Sequence, residues 1–257
     1  MKHFFSFVVL FCACSAVYAW DATGHRITAA VAYHYLTPHA KKQVDRILGK
    51  RGIIYYAAWA DEIRSDTIYP GSYSWHFQDL DSGMTDSALV ATLTDYPKEG
   101  GLLWRMTDSL TSALRADKMN PDWLRFVVHF TADRFCPMHT GRVEDKGGNM
   151  VKINWFGSHA NLHSLWDGLI IASYNYSFPE YTTFLIDTYG DRKKELEQRS
   201  RADELRHNYD MTQRIYDYTA TWQGNCYKYI YDWKDEMNLQ LYAAGVKLAQ
   251  LLNEIYR

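Results

Sequence analysis

Two apolar helical stretches of this chain each carry a histidine and an aspartate four residues apart: His129 with Asp133, and His163 with Asp167. Positions i and i+4 share one helical face, so each pair can reach a common point. The first pair follows Leu124, Val127 and Val128, an apolar face that belongs in a core. An ionised carboxylate buried there is costly unless a metal or a charged partner meets it. One such pair alone is an ordinary surface or capping arrangement. Two, accompanied by further histidines and aspartates at ordered spacings, constrain the chain to a helical fold with buried ligands.

Helical periodicity extends along nearly the whole sequence. Ile27, Ala30, Val31 and His34 mark one face of a first helix that starts near Thr23. Thr37-Pro38 reads as a cap and first turn, with Gly49 as the stop. Leu102, Leu103, Met106, Leu110 and Leu114 repeat at helical spacing over residues 101–117. Asn120-Pro121 opens another helix, and residues 160–173, 203–222 and 236–256 complete the set. Strand signals are weak. Tyr73 to Phe77 looks extended, and Val151 to Trp155 alternates between Gly147-Gly148 and Gly157 in the manner of a small hairpin. The expected fold is mostly α, a single compact multi-helix domain with at most a small β-hairpin.

Residues 1–19 read as a secretory signal: Lys2 and His3, an apolar run from Phe4 to Cys14, then Val17-Tyr18-Ala19 before the cut. The run is too short to span a bilayer, and no other uncharged stretch reaches its length. The expectation is an exported protein, periplasmic or secreted, with no membrane span and a single domain over residues 20–257. Cleavage makes Trp20 the first residue, and its free α-amine, its carbonyl and His25 can then chelate a metal. Without Lys2, 27 basic residues face 30 acidic ones, a net charge of −3. That excludes a basic nucleic-acid coat, so phosphate binding has to be local, by metal or by a few arginines. The two cysteines of this domain, Cys136 and Cys226, allow one disulfide or two buried thiols. No obligate protein partner is evident.

The candidate ligands stand in order: Trp20 and His25, Asp61 in Ala-Trp-Ala-Asp-Glu-Ile-Arg, His76 in Trp-His-Phe-Gln-Asp, His129, Asp133, His139, His163 and Asp167. Imidazole and carboxylate are the donors zinc takes where it must keep a position open for water. The remaining histidines have structural readings. His34 is expected to face a helix partner, His39 to sit in a first turn, His159 to lie near His163 and His207 to be exposed.

Taken together, Trp20-x4-His25, Trp59-Ala60-Asp61-x2-Arg64, Trp75-His76-Phe77-x-Asp79, His129-x3-Asp133-x5-His139, Gly147-Gly148-Asn149 and His163-x2-Trp166-Asp167 resemble the zinc-dependent single-strand nucleases and 3′-nucleotidases of fungi, plants and bacteria. The resemblance covers Trp20 to Asp167; beyond about residue 175 no motif matches. It implies a mostly helical protein holding three zinc ions. By position, Asp61, His76, His129 and Asp133 would hold one. The Trp20 amine and carbonyl, His25 and a bridging Asp133 would hold a second, and His139, His163 and Asp167 a third, more exposed one. The implied activity is hydrolysis of single-stranded RNA and DNA and of 3′-nucleotides by zinc-activated water, leaving 5′-phosphates from polymers. Asp61 would orient the water, and Arg64, one helical turn on, would grip the phosphoryl group. Phe77, Asp79, Gly147 and Asn149 match the base pocket, with Phe77 stacking on an unpaired base and Asp79 and Asn149 bonding its edge.

One stretch departs from the pattern. Where the family usually reads x-His-Gln-Pro-Leu-His after the aspartate, this chain has Arg134-Phe135-Cys136-Pro137-Met138-His139. Cys136 replaces the glutamine, as a thiol beside the ligands, a disulfide partner of Cys226 or an extra soft ligand. Zinc-dependent phospholipase C, which shares the processed tryptophan, is the alternative function. Asp167, in place of that family's glutamate, and the Trp-His-Phe-x-Asp segment weigh against it. A zinc-stabilised binding protein without turnover would lack Arg64, which is present.

Overall fold

Asp21 starts the first helix by accepting hydrogen bonds from the Thr23 and Gly24 amides at 3.0 and 2.9 Å. The computed structural model describes residues 20–257, so the expected signal segment, residues 1–19, lies outside the described residues. In chain order the helices are α1 (Ala22–Tyr35), α2 (Pro38–Leu48), α3 (Gly52–Tyr55), α4 (Trp59–Ile63), α5 (Asp86–Ala91), α6 (Leu103–Ala116) and α7 (Pro121–Asp133). After the strands β1 (Lys152–Trp155) and β2 (Ser158–Asn161) come α8 (Leu162–Ser164), α9 (Ile170–Ser173), α10 (Phe178–Tyr189), α11 (Lys193–Gln198), α12 (Arg201–Thr221) and α13 (Cys226–Ile255). The mostly helical, single-domain expectation holds, and the two antiparallel strands form the small hairpin read from Val151 to Trp155.

Helix α7 is the axis of the site. Asn120 caps it, its side-chain oxygen 3.0 and 3.2 Å from the Asp122 and Trp123 amides, and Pro121 presets the first turn. From Phe126 to Asp133 every residue is buried, so the helix is covered all round. α6 packs along one side of it, and α1 and α13 along another. The apolar interior falls into two large clusters. One holds Ile27, Val31, Ala132, Trp166 and much of α13; the other holds Ala29, Phe126, Val127, Phe130 and the end of α13. α1 and α7 contribute to both, which places His25, His129 and Asp133 at the seam.

Three local expectations need correction. Tyr73 to Phe77 is not extended: Ser72–Trp75 forms a 3₁₀ turn, because Gly71 adopts φ 84° and its carbonyl accepts the Ser74 amide at 3.1 Å. The helix expected over residues 160–173 is interrupted, with a π-helical turn at Leu165–Leu169 between α8 and α9. Such turns concentrate at functional sites, and this one carries Trp166 and Asp167. His34 is exposed rather than facing a helix partner. The face that α1 buries is built from His25, Ile27, Thr28, Val31 and Ala32.

Gly168 explains the π turn's second role. A Cβ there would lie 2.8 Å from the Asp21 Cβ, so only glycine admits the entering chain. The Asp21 amide then donates to the Asp167 carbonyl at 2.8 Å, and the Trp20 indole donates to the Ala132 carbonyl of α7 at 2.9 Å. Trp20 is fully buried and fixed at the seam by both elements.

Candidate metal centre

Asp133 is fully buried at the end of α7, and its two oxygens face different partners. Oδ1 lies 3.3 Å from His25 Nε2 and 3.7 Å from His139 Nδ1. Oδ2 lies 3.3 Å from both His76 Nδ1 and His129 Nε2. Asp61 Oδ1 approaches the same two imidazoles at 3.6 and 3.8 Å. On the far side, His139 Nε2 and His163 Nε2 lie 3.4 and 3.1 Å from the two oxygens of Asp167. All eight side chains that the sequence singles out as ligands therefore meet in one buried group.

Each is aimed by its own element. Trp59 packs against Phe126 at 5.1 Å between ring centres and seats α4, which presents Asp61, on α7. His76 follows the 3₁₀ turn, whose Trp75 packs against Phe126 and Phe130. Backbone bonds from Gln78 to the His139 carbonyl and from Leu80 to the Gly141 carbonyl, both 2.8 Å, hold residues 76–80 against residues 139–141. The His129 ring is turned by its Nδ1, which donates to the Ala57 carbonyl at 2.8 Å. His163 Nδ1 bonds the Gly147 carbonyl at 2.7 Å in the same way, leaving Nε2 to face the cluster. These two carbonyls carry no sequence signal, because every residue has one.

Burial and neighbouring imidazoles hold His25 and His76 well below the ordinary histidine range, and burial lowers His129. Neutral rings are the ligating form. Burial pushes Asp61 up to about 7, against the pull of His129, and pushes Asp133 well above the usual carboxylate range. At His163 burial is outweighed by the Asp167 charge, and the ring is held up at about 9. Buried atoms without a hydrogen-bond partner include both nitrogens of His25, His76 Nε2, Asp61 Oδ1, both oxygens of Asp133, His139 Nδ1 and Asp167 Oδ2. Orphaned polar atoms are uncommon in a folded interior, and each is costly. Their convergence, and their N and O chemistry, fit divalent cations, which hold the carboxylates ionised. Donor atoms within 4.8 Å of one another form three sets: His25, Asp61 and His129; His76, His129 and Asp133; and Cys136, His139 and Asp167.

Beside the cluster opens a cavity of about 430 Å³ lined by Tyr73, Phe77, Asp79, Glu99, Gly100, Val143, Lys146, Asn149 and His163. Phe77, Asp79 and Asn149 thus line one pocket. Gly147 sits between Asp79 and His163: at φ +64°, a Cβ there would come 2.7 Å from Asp79 Oδ1 and 2.8 Å from the Met138 carbonyl. Burial raises Asp79 to about 7, against His163. Tyr73, Glu99, Gly100, Val143 and Lys146 are lining residues that the sequence motifs missed, since they come from short turns and loops outside those motifs or at their edges. Arg64, at the end of α4, places its guanidinium 3.8 Å from Asp61 Oδ1.

The segment that departs from the motif is buried and bonded. Arg134 pairs with Glu204 of α12 and stacks over the Trp104 ring at 4.2 Å. Cys136 and Cys226 are separate buried thiols, not a disulfide. Cys136 Sγ donates to Asp167 Oδ1 at 3.1 Å, whereas Cys226 sits under the hairpin, beside the Phe156 amide. His39 and His159 are exposed, the latter on β2 away from the cluster, and His207 is partly buried on α12.

Nuclease P1 of Penicillium citrinum is 32% identical over 158 residues, 58% of this chain and 57% of the relative. Endonuclease 3 of Arabidopsis thaliana is 26% identical over 176 residues, 62% and 59% of the two chains. Nuclease S1 of Aspergillus oryzae is 26% identical over 159 residues, 58% and 54%. These alignments thus span less than two thirds of each relative. The family description S1/P1 Nuclease, by contrast, matches residues 20–257, and the chain belongs to the S1/P1 nuclease family.

Proposed function

We propose that this protein is an exported, zinc-dependent nuclease that hydrolyses single-stranded RNA and DNA and 3′-nucleotides. The observation that carries the reading is Asp133: a fully buried carboxylate whose two oxygens face two different imidazole sets. One ion would be held by Asp61, His76, His129 and Asp133. A second would be held by the Trp20 amine and carbonyl, His25 and Asp133, and a third by His139, His163 and Asp167. Zinc held there would supply a water activated near neutral pH and positive charge to offset that on the phosphoryl oxygens. The family membership and the names of the relatives support the nucleic-acid substrate.

The chain's own residues do the remaining work. Asp61 accepts a hydrogen bond from the attacking water and orients it in line with phosphorus. Arg64, beside Asp61, grips the phosphoryl oxygens as negative charge spreads over them. Phe77 offers a ring face to an unpaired base, a contact of roughly 1–3 kcal/mol. Asp79 and Asn149 accept and donate at the base edge. A base within a duplex cannot reach such a pocket, which favours single strands.

The test is hydrolysis by protein beginning at Trp20, offered single-stranded RNA, single-stranded DNA and a short-chain phosphatidylcholine, each with and without a chelator. Chelator-sensitive release of 5′-nucleotides is expected. Release of phosphocholine without nucleotides would assign the cluster to a lipid substrate and overturn the base-pocket reading.

A further inference from the structure

Among the described residues Cys136 is the one thiol at the cluster, and it stands where the resembled motif carries glutamine. It is fully buried, at the entry to the 3₁₀ turn Pro137–Thr140. Its Sγ, a His139 nitrogen and an Asp167 oxygen lie within 4.8 Å of one another. His139 Nδ1 and Asp167 Oδ2 are themselves buried without hydrogen-bond partners. The turn that carries the thiol is bolted in place. The Cys136 amide donates to the Asp133 carbonyl at 3.0 Å, and its carbonyl accepts from Asn208 at 3.3 Å. Thr212 donates to the Pro137 carbonyl at 2.7 Å, and Gln240 to the Phe135 carbonyl at 2.9 Å. α12 and α13 therefore fix the backbone of this turn, and the Sγ bond to Asp167 Oδ1 at 3.1 Å points the sulfur into the cluster.

We infer that Cys136 is a fourth protein ligand to the outer ion, completing a Cys136, His139, His163 and Asp167 set. This rests on the metal-centre reading above. As the Sγ–metal bond forms, the thiol proton, which otherwise bonds Asp167, leaves to solvent; nothing is oxidised or reduced. A thiolate donor has consequences for the site. It brings one more negative charge to the ion than the motif's neutral glutamine amide could. It favours soft cations such as zinc and cadmium over magnesium or manganese. It also fills a coordination position that three N and O ligands would leave to water.

The test uses protein beginning at Trp20, stripped of metal and reloaded with cobalt(II). Cobalt reports its own binding through visible d–d bands, and a thiolate ligand adds a near-ultraviolet charge-transfer band. The band is expected in the native protein and in Cys226→Ser, in which Cys136 is the last thiol. It should vanish in Cys136→Ser while the d–d bands persist. X-ray absorption of the zinc form needs no variant: one sulfur at about 2.3 Å should appear among N and O donors at about 2.0 Å. Visible d–d bands with no charge-transfer band, or a zinc spectrum without sulfur, would overturn the Cys136 ligand and leave the metal centre standing. Loss of the band in Cys226→Ser would likewise overturn it. Failure to take up cobalt or zinc at all would overturn the metal centre and this ligand together. Should Cys136→Ser not fold, Cys226→Ser and the native zinc spectrum decide between these outcomes.

Discussion

Asp61→Asn should act in opposite directions on the metal-free and the zinc-loaded protein. The Asp61 residue is 8% exposed, and burial, partly opposed by His129, raises its carboxyl from 3.8 to about 7. At about 1.4 kcal/mol per pKa unit, a rise of roughly three units corresponds to about 4 kcal/mol. The folded value lies above the unfolded one, so the folded chain holds the extra proton. Its contribution to stability is complete below about pH 4 and is lost as pH rises through about 7. Asparagine does not ionise and is exempt from that loss. Metal-free native protein and Asp61→Asn should therefore match near pH 4 and diverge above it, the variant leading by up to about 4 kcal/mol near pH 8. Histidines away from Asp61 titrate alike in both proteins and cancel in the difference, whereas His129, which faces the Asp61 charge, adds a smaller difference of its own. Urea unfolding of metal-free samples across this range reads it directly as a change in midpoint at constant slope. With zinc restored the order should reverse, because the native carboxylate binds the ion more tightly and ligand binding stabilises the folded state. A metal-free native protein as stable as the variant near pH 8 would refute the reading that burial outweighs the pull of His129 and Arg64 on the Asp61 charge.

Adding one glycine before Trp20 should lower affinity for one zinc at least about tenfold and remove most activity, since the amine becomes an amide; full zinc and full rate would sink the amino-terminal ligand. Arg64→Ala should reduce kcat about 10²–10³-fold with zinc content unchanged, the cost of losing one charged donor to the transition state. An unchanged kcat would return Arg64 to a structural partner of Asp61. Arg134→Met should cost about 3 kcal/mol by urea unfolding, because Glu204 is left buried with only Lys247, 3.1 Å away. Adding Glu204→Gln should recover part of that loss; simple additivity of the two changes would show that the pair is not coupled.

Arg134, at the motif's variable position just before the departure, anchors this segment. The guanidinium follows Asp133 directly, and its pairing with Glu204 and Trp104 ties the end of α7 to α12 and α6. The neighbouring Phe135 carbonyl is held by Gln240 of α13. Arg134 and the Phe135 backbone therefore dock the turn that follows α7 on the rest of the domain.

The sequence alone carried the helical class, because apolar residues at helical spacing can be buried only one way. It also singled out the eight side chains that meet in the buried group: His129 with Asp133 and His163 with Asp167 by local spacing, and His25, Asp61, His76 and His139 as further candidates along the chain. The extended reading of Tyr73 to Phe77 failed because a single left-handed Gly71 redirects the backbone. The regular helix over residues 160–173 failed because a π turn is set by what packs against it, here Asp21 against Gly168. Only tertiary structure decided that Asp133 divides its two oxygens between imidazoles from four different segments, and that Cys136 turns toward Asp167 rather than Cys226. The carbonyls of Ala57 and Gly147 that aim His129 and His163 were equally invisible. Local spacing fixes which side chains share a helical face, but distances between segments far apart in the chain follow from how the two apolar clusters close around α7.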